Sequence, residues 1–544
     1  MATRLHRALL TLLAALLFAP FSFASAYDGR PRLVVIVIVD QFRGDFLERS
    51  RSSFGPGGFN LFLEHGAVFT DCRYDYAVTH TAPGHATLLT GAYPDGHGIG
   101  GNQWWDSEKK RLVTSVEDKS TQLLGLPDGA SKTGASPRKL LASTLGDVLK
   151  MATGGKARVS AIGLKDRSAI LPAGFAGDAA YWIDWQSGVF VTSTYYAKEL
   201  PAWVKQFNAS QRTEKYWNRE WKDAAGQTLG NTAPRKDKDG SPEGFFDVVG
   251  ATPFANDYQL EFARELVLNE KLGSGPVTDL LIVSLSAPDI LGHDAGPDSP
   301  QVAAMVEAMD GQLAGFFQFL EKQVGPGNLW LALSADHGIA PLPSYASGFR
   351  LPAGTFVSRD SRARANALLS SQLTPGRETE FIAAVSWPIA YLSEEAFSAA
   401  KLTQAEAERA AGEALMKESP ALGYFTRSQI ARGELPQDET GRRYAHSASP
   451  YGGWYVILVP RPYVSGYVLG TDHSSPYTYD THVPLAFYGA PFRPGTYRTH
   501  AEPVDLAATL ASLLGISPPS HSVGRVLTEA LSPAPPRPAR RTPR

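Results

Sequence analysis

Four apolar runs stand out of the chain: Leu33 to Val39, which is continuous and β-branched, then Leu280 to Leu285, Leu329 to Leu333 and, shorter, Pro484 to Tyr488. Continuous runs of this kind predict strands buried on both faces, as in the interior of a parallel sheet, rather than half-exposed strands that alternate. Between them lie stretches with apolar residues at helical spacing. Pro300 to Val324 is the longest, with Asp298 or Ser299 placed to cap it, and Val504 to Leu514 is a second. Strand–helix alternation predicts an α/β sandwich whose functional groups sit at the carboxyl ends of the strands. Two long regions break the alternation. Residues from about 103 to 276 are rich in Trp, Gly and Lys. Those from about 340 to 463 hold a helix, Thr403 to Lys417, between apolar strands near Phe381–Val385 and Trp454–Val459.

The ends of the chain read differently from its middle. Arg4 and Arg7, the apolar run Ala8 to Phe18 and the small residues Ala24-Ser25-Ala26 form a secretory signal pattern over residues 1–26. The apolar run is short for a bilayer span, and nothing later resembles one, so a soluble exported protein, periplasmic or secreted, is expected. The chain from 27 to 525 is read as one catalytic domain with two insertions. Residues 526–544 are read as a disordered tail, whose run SPAPPRPARRTPR begins after Leu531. Among 544 residues the formal net charge is −2, which gives no reason to expect a nucleic-acid partner. Cys72 is the only cysteine, so no intramolecular disulfide can form.

The strand ends carry the candidate chemistry. Asp40 closes VVIVIVD, Asp289 and His293 follow in SAPDILGHD, Asp336 and His337 in LALSADHG, and His482 lies in YDTHVPL. Three Asp and three His make two sets of three, each with room for an oxygen of water or substrate. Carboxylate and imidazole suit Zn²⁺, and three protein ligands plus an open position is the catalytic pattern. These residues predict a two-metal hydrolase. In Thr79-His80-Thr81-Ala82-Pro83-Gly84-His85, Pro83 marks a helix start, so the Thr81 hydroxyl lies beside exposed backbone N–H groups and the positive end of a helix dipole. The plainer alternative is that Thr81 only caps the helix. His80, His85, His97 and His473 are read as structural, because the two sets are already complete without them.

These segments together resemble the alkaline phosphatase superfamily, in the branch of nucleotide pyrophosphatase/phosphodiesterases and PafA-like alkaline phosphatases. VDQFRGDFL, TAPGHATLLTGAYPDGHGIGGN, SAPDILGHDAGP, SADHG and DTHVPLAFYG are similar to its motifs and stand in the same order. The resemblance implies a three-layer α/β sandwich with a mostly parallel central sheet and cap insertions. It implies Thr81 as covalent nucleophile and Asn102 as a phosphoryl-oxygen ligand. It also implies one zinc on Asp40, Asp336, His337 and Thr81, and a second on Asp289, His293 and His482. Lys165 and Arg167 in LKDRSAI resemble the Lys-x-Arg pair by which PafA-like monoesterases contact phosphate. On a strand, residues two apart would share a face. The expected function is a phosphate monoester hydrolase using two Zn²⁺ ions on small organic monoesters, with no nucleic-acid or membrane partner. The rival readings are a diesterase or nucleotide pyrophosphatase and a non-catalytic phosphoester-binding protein.

Overall fold

The computed structural model describes residues 30–127, 133–236 and 240–532. The signal pattern and the last twelve residues of the tail lie outside them. At the centre is strand Leu33–Val39, buried at every position. It pairs in parallel with Asp279–Leu285 on one side and Leu329–Ser334 on the other. Burying such side chains is worth about 1.5–3 kcal/mol each, which is why the run sits in the middle of the sheet.

The sheet has eleven strands. Beyond Asp279–Leu285, strands Val159–Ile162 and Ala179–Ile183 continue the parallel order. Past them, Phe190–Ser193, Glu117–Leu124 and Thr133–Ala135 turn antiparallel. On the far side, His482–Tyr488 runs antiparallel to Leu329–Ser334, and Ala67–Arg73 antiparallel to it in turn. The expectation of a mostly parallel sheet therefore needs correction. The five strands at the centre run parallel, joined by crossovers, and the strands that flank them pair antiparallel, apart from the edge pair Ala67–Arg73 and Gly495–Tyr497, which is parallel.

Helix Pro300–Val324 begins where Ser299 accepts a hydrogen bond from the Val302 N–H (3.2 Å). Its buried stripe includes one acid, Asp310. That carboxylate accepts from the backbone N–H groups of Gly55 and Phe59 and so caps the start of helix Phe59–His65.

The two expected insertions differ in kind. The stretch from about 103 to 276 is no simple insertion, since it supplies five of the eleven sheet strands and helix Pro253–Asn269. Four of its strands are short and the longest, Glu117–Leu124, is mostly polar, which hid them. The second stretch is a separate lobe with its own apolar core, in which Phe381, Phe397, Leu415 and Leu458 are buried. It has a four-stranded antiparallel sheet in the order Ile382–Ser386, Ile389–Leu392, Tyr455–Pro460, Ala421–Thr426. Helix Gln404–Glu418, opened by a Thr403/Glu406 capping box, packs on it. The tail also begins later than residue 526, because Leu527 and Ala530 are buried and Leu531 bridges to Phe492. Among the described residues no helix is long and apolar enough to cross a membrane.

Candidate active site

Two adjacent parallel strands end at the same edge of the sheet, and their ends bring Asp40, Asp336 and His337 together. Their ligand atoms lie within 4.8 Å of one another, and all three residues are fully buried. His337 Nε2 is 3.4 Å from Asp40 Oδ1 and 3.5 Å from Asp336 Oδ2. Those three atoms have no hydrogen-bond partner. Buried polar atoms are normally satisfied, so three orphans aimed at one point mark a place for a cation.

A second cluster lies beside it. Asp289 and His293 sit four apart on helix Ala287–Ala295, sharing a face, with His293 Nε2 3.3 Å from Asp289 Oδ1. The third member is His473, whose Nε2 is 3.8 Å from the same oxygen. His337 and His473 stack at 3.6 Å and join the two clusters. In all three imidazoles Nδ1 donates to a backbone carbonyl: His337 to Gly338 (2.9 Å), His293 to Thr471 (2.8 Å) and His473 to Thr79 (2.6 Å). That arrangement fixes the tautomer and leaves each Nε2 lone pair facing the carboxylates. Both donor sets fit a divalent cation held by nitrogen and oxygen.

His482 is not part of this cluster. It opens strand His482–Tyr488 with its ring packed over Gly44, where a Cβ would lie 2.6 Å from the ring, and its Nε2 donates to the Thr70 carbonyl (2.9 Å). His473 stands in the cluster where His482 is expected, so the reading of His473 as structural needs correction. His80, His85 and His97 do have other partners: the Trp387 carbonyl, the Thr81 carbonyl with Ser284, and Thr87 with Ile99.

Two residues tie the clusters together. Gln41 donates its N–H to Asp336 Oδ1 (3.0 Å) and its side-chain amide to Asp289 Oδ1 (2.8 Å). It does so from a left-handed backbone (φ 66°), a conformation that costs a non-glycine residue free energy and clusters at functional sites. Sequence reading missed Gln41. Its one signal is its position, a polar residue directly after the ligand Asp40. Lys165 Nζ lies 2.7 Å from Asp40 Oδ2 and also bonds Asp289 Oδ2, fully within the floor of the site. Lys165 and Arg167 are not on a strand. Lys165 is the residue before helix Asp166–Ala173 and Arg167 lies in its first turn, so the two side chains diverge. Lys165 reaches the floor, whereas Arg167 is partly exposed at the wall.

The charges explain the two environments. Burial and the nearby Asp40 charge push the Asp336 carboxyl well above the ordinary range. Burial would raise Asp289 too, but Lys165 and His293 outweigh it and hold that carboxyl well below the ordinary range. His293 is lowered by burial and raised more by Asp289, ending at about 9. Three buried carboxyl groups crowd one buried lysine, and a cation bound there would take the place of the protons that Asp336 and His293 hold.

Above the clusters, Thr81 opens helix Thr81–Thr90 and Asn102 Oδ1 accepts from the Ala82 N–H (2.8 Å). With Oδ1 so committed, the Asn102 amide N–H₂ is left as the donor. Gly84 lets this helix lie on the Asp336 strand end, since a Cβ would fall 2.2 Å from the Asp336 carbonyl. Thr81, Asn102, Lys165, Arg167, Asp289 and His293 border one cleft of about 490 Å³, walled also by Trp185, Trp387 and Tyr467. Trp104 instead stacks on Tyr451 at 4.6 Å. A larger cavity of about 690 Å³, at the amino ends of the central strands, contains none of these groups.

The chain is similar to known proteins along most of its length. Residues 34–370 match the model of the type I phosphodiesterase / nucleotide pyrophosphatase family. Alkaline phosphatase PafA of Elizabethkingia meningoseptica is 34% identical over 92% of this chain and 95% of its own. Alkaline phosphatase PhoV of Synechococcus elongatus is 32% identical over 92% and 93%. The crystal structure of PafA superposes with a TM-score of 0.83 at 31% identity, covering 92% of this chain and 99% of that one. A solved PafA variant with a threonine, an asparagine, a lysine and an arginine replaced together matches equally well. The Thr–Asn and Lys–Arg separations there equal those of Thr81 to Asn102 and Lys165 to Arg167. The chain belongs to the type I phosphodiesterase / nucleotide pyrophosphatase family and, by its alkaline phosphatase relatives and its match to the PafA structure, is a phosphatase enzyme.

Proposed function

We propose that this phosphatase is an exported, zinc-dependent monoesterase that works through a covalent phospho-Thr81 and accepts a range of organic phosphates. The observation that carries the reading is the pair of three-ligand clusters flanking a threonine at a helix start. Zinc held by Asp40, Asp336 and His337, with Thr81, and by Asp289, His293 and His473 would supply the positive charge that acidifies a hydroxyl and neutralises a departing oxygen. The protein's own groups do the rest. Thr81 Oγ attacks phosphorus, the P–O bond to the alcohol breaks, and water then cleaves the Thr81–phosphate ester to release phosphate. The Thr81 N–H at the helix start, the Asn102 amide and the Arg167 guanidinium hold the phosphoryl oxygens as charge spreads over them. Arg167 is a fork suited to phosphate, and Lys165 adds a point charge at the floor.

A monoester brings two negative charges into the site and a diester one, so the Lys165–Arg167 pair favours the monoester. The family's diesterase members motivate the alternative. The test is turnover of p-nitrophenyl phosphate and bis-p-nitrophenyl phosphate by zinc-loaded protein. A strong monoester preference is expected, with Thr81→Ala lowering turnover by at least about 10⁴-fold. Lys165→Ala with Arg167→Ala should remove the preference. A preference for the diester in the parent protein would replace this reading with the diesterase one. Fractionation of the host, with the protein found in the cytoplasm at full length, would contradict export.

A further inference from the structure

The lip of the cleft beside Asp289 and His293 is built from a loop whose three consecutive apolar residues face solvent: Tyr467 is 47% exposed, Val468 58% and Leu469 93%. Contiguous apolar surface of this kind marks a binding surface more often than it serves folding. The loop is anchored at both ends on one residue. Before the tip, the Tyr467 ring stacks on the His293 imidazole at 4.6 Å. After it, Gly470 lies so close that a Cβ would fall 2.2 Å from the His293 carbonyl, and the Thr471 N–H donates to that carbonyl (2.8 Å). The backbone that carries Val468 and Leu469 is therefore held on both sides by His293 and cannot swing far from the second cluster. Gly466 brings the start of the loop against the Trp387 indole of the second lobe, which with Val385 forms the facing wall of the cleft.

We propose that this lip seats the hydrocarbon of the leaving alcohol, so that the preferred monoesters are amphiphilic, carrying phosphate on an extended alkyl chain. The inference rests on the monoesterase reading above. In-line displacement puts the departing oxygen opposite Thr81 Oγ. The Thr81 helix lies over Asp336, so the departing group points toward Asp289, His293 and His473, and whatever it carries runs out past Tyr467. A chain following that path leaves the cleft between Trp387 and Tyr467, and the next two residues of the loop, Val468 and Leu469, offer exposed apolar side chains just outside it. A polar or charged alcohol gains nothing from them. The occupant is a chain attached to the substrate and not a separate partner, because the apolar surface is continuous with the cleft at Tyr467.

The test is kcat/KM for ethyl, butyl, hexyl and octyl phosphate below their micelle concentrations. These alcohols share nearly the same basicity, so the chemical step is held constant. Each methylene covered by the lip is expected to raise kcat/KM about two- to fourfold, making octyl phosphate at least about tenfold better than ethyl phosphate. In Val468→Ser with Leu469→Ser, two exposed positions where folding is not at stake, the octyl-to-ethyl ratio should collapse toward one. A flat series in the parent protein, or a rising series that the double variant leaves untouched, would overturn the seat. A flat series accompanied by a dimer that the double variant dissociates would assign the tip to a second copy of the chain and overturn it too. Absence of turnover on ethyl and octyl phosphate alike would instead strike the monoesterase reading itself.

Discussion

The two clusters of the active site have the same ligand types but opposite construction. Asp40, Asp336 and His337 come from the ends of two paired strands in the centre of the sheet, are fully buried, and leave three atoms without partners. Asp289, His293 and His473 come from a helix and a distant loop, and Lys165 and Gln41 satisfy the shared carboxylate. The sheet holds the first cluster in place at an electrostatic cost. The second is electrostatically compensated but depends on a loop that must close over a long stretch of chain.

That contrast predicts effects of opposite sign in chelator-treated protein. Asp289→Asn breaks a buried pair and should lower stability by about 3 kcal/mol. Asp336→Asn removes a carboxyl whose ionisation burial and Asp40 oppose in the folded state, a cost to the fold at neutral pH, while Oδ1 can still accept from Gln41, and should raise stability by about 1–3 kcal/mol. Denaturant midpoints of both variants check this, and a shift of the same sign in both would break the comparison.

Gln41→Ala tests the tie between the clusters. Loss of a residue that orients ligands should weaken metal binding by about 10–100-fold, readable by titration with a zinc chelator. Because Gln41 touches a ligand in each cluster, both sites should weaken. Weakening of one alone would show that the tie serves only that cluster.

The smallest effect concerns the seam that positions the His473 loop. Asp75 takes a two-pronged bond from Arg442 (2.7 and 3.1 Å), and the neighbouring Arg443 donates to the Pro476 carbonyl beside that loop. Burial would raise the Asp75 carboxyl, but His446 and Arg442 outweigh it and bring it to about 2. A depressed carboxylate stabilises the fold above its unfolded value near 4, and the gain is lost as pH falls from about 4 to about 2. Asp75→Asn should therefore cost about 1–2 kcal/mol at neutral pH, and its midpoint should converge with the parent's across that window.

What could be read in advance follows the same contrast. Strands Leu33–Val39 and Leu329–Ser334 announce themselves as unbroken apolar runs, and their ends deliver Asp40, Asp336 and His337 without further information. Helix Pro300–Val324 begins at a proline behind a serine cap, both local signals. His473 has no such signal. Its segment TDHSSPY has no periodicity, and its place depends on contacts with Thr79 almost four hundred residues earlier. His482 drew attention because it borders a strand, yet it faces Gly44 and Thr70. Lys165 and Arg167 looked like strand neighbours, whereas the helix starts between them at Asp166. The antiparallel flanks were hidden because strands such as Phe190–Ser193 and Thr133–Ala135 are too short to show a period.

The assignment of the second cluster is most directly tested by metal content and monoester turnover of His473→Ala and His482→Ala side by side. The account predicts that His473→Ala loses one of two bound metals and on the order of 10³-fold in kcat/KM, the several kcal/mol a catalytic metal contributes, while His482→Ala keeps both metals and near-parent turnover. Full metal content in His473→Ala, or loss of a metal in His482→Ala, would contradict it.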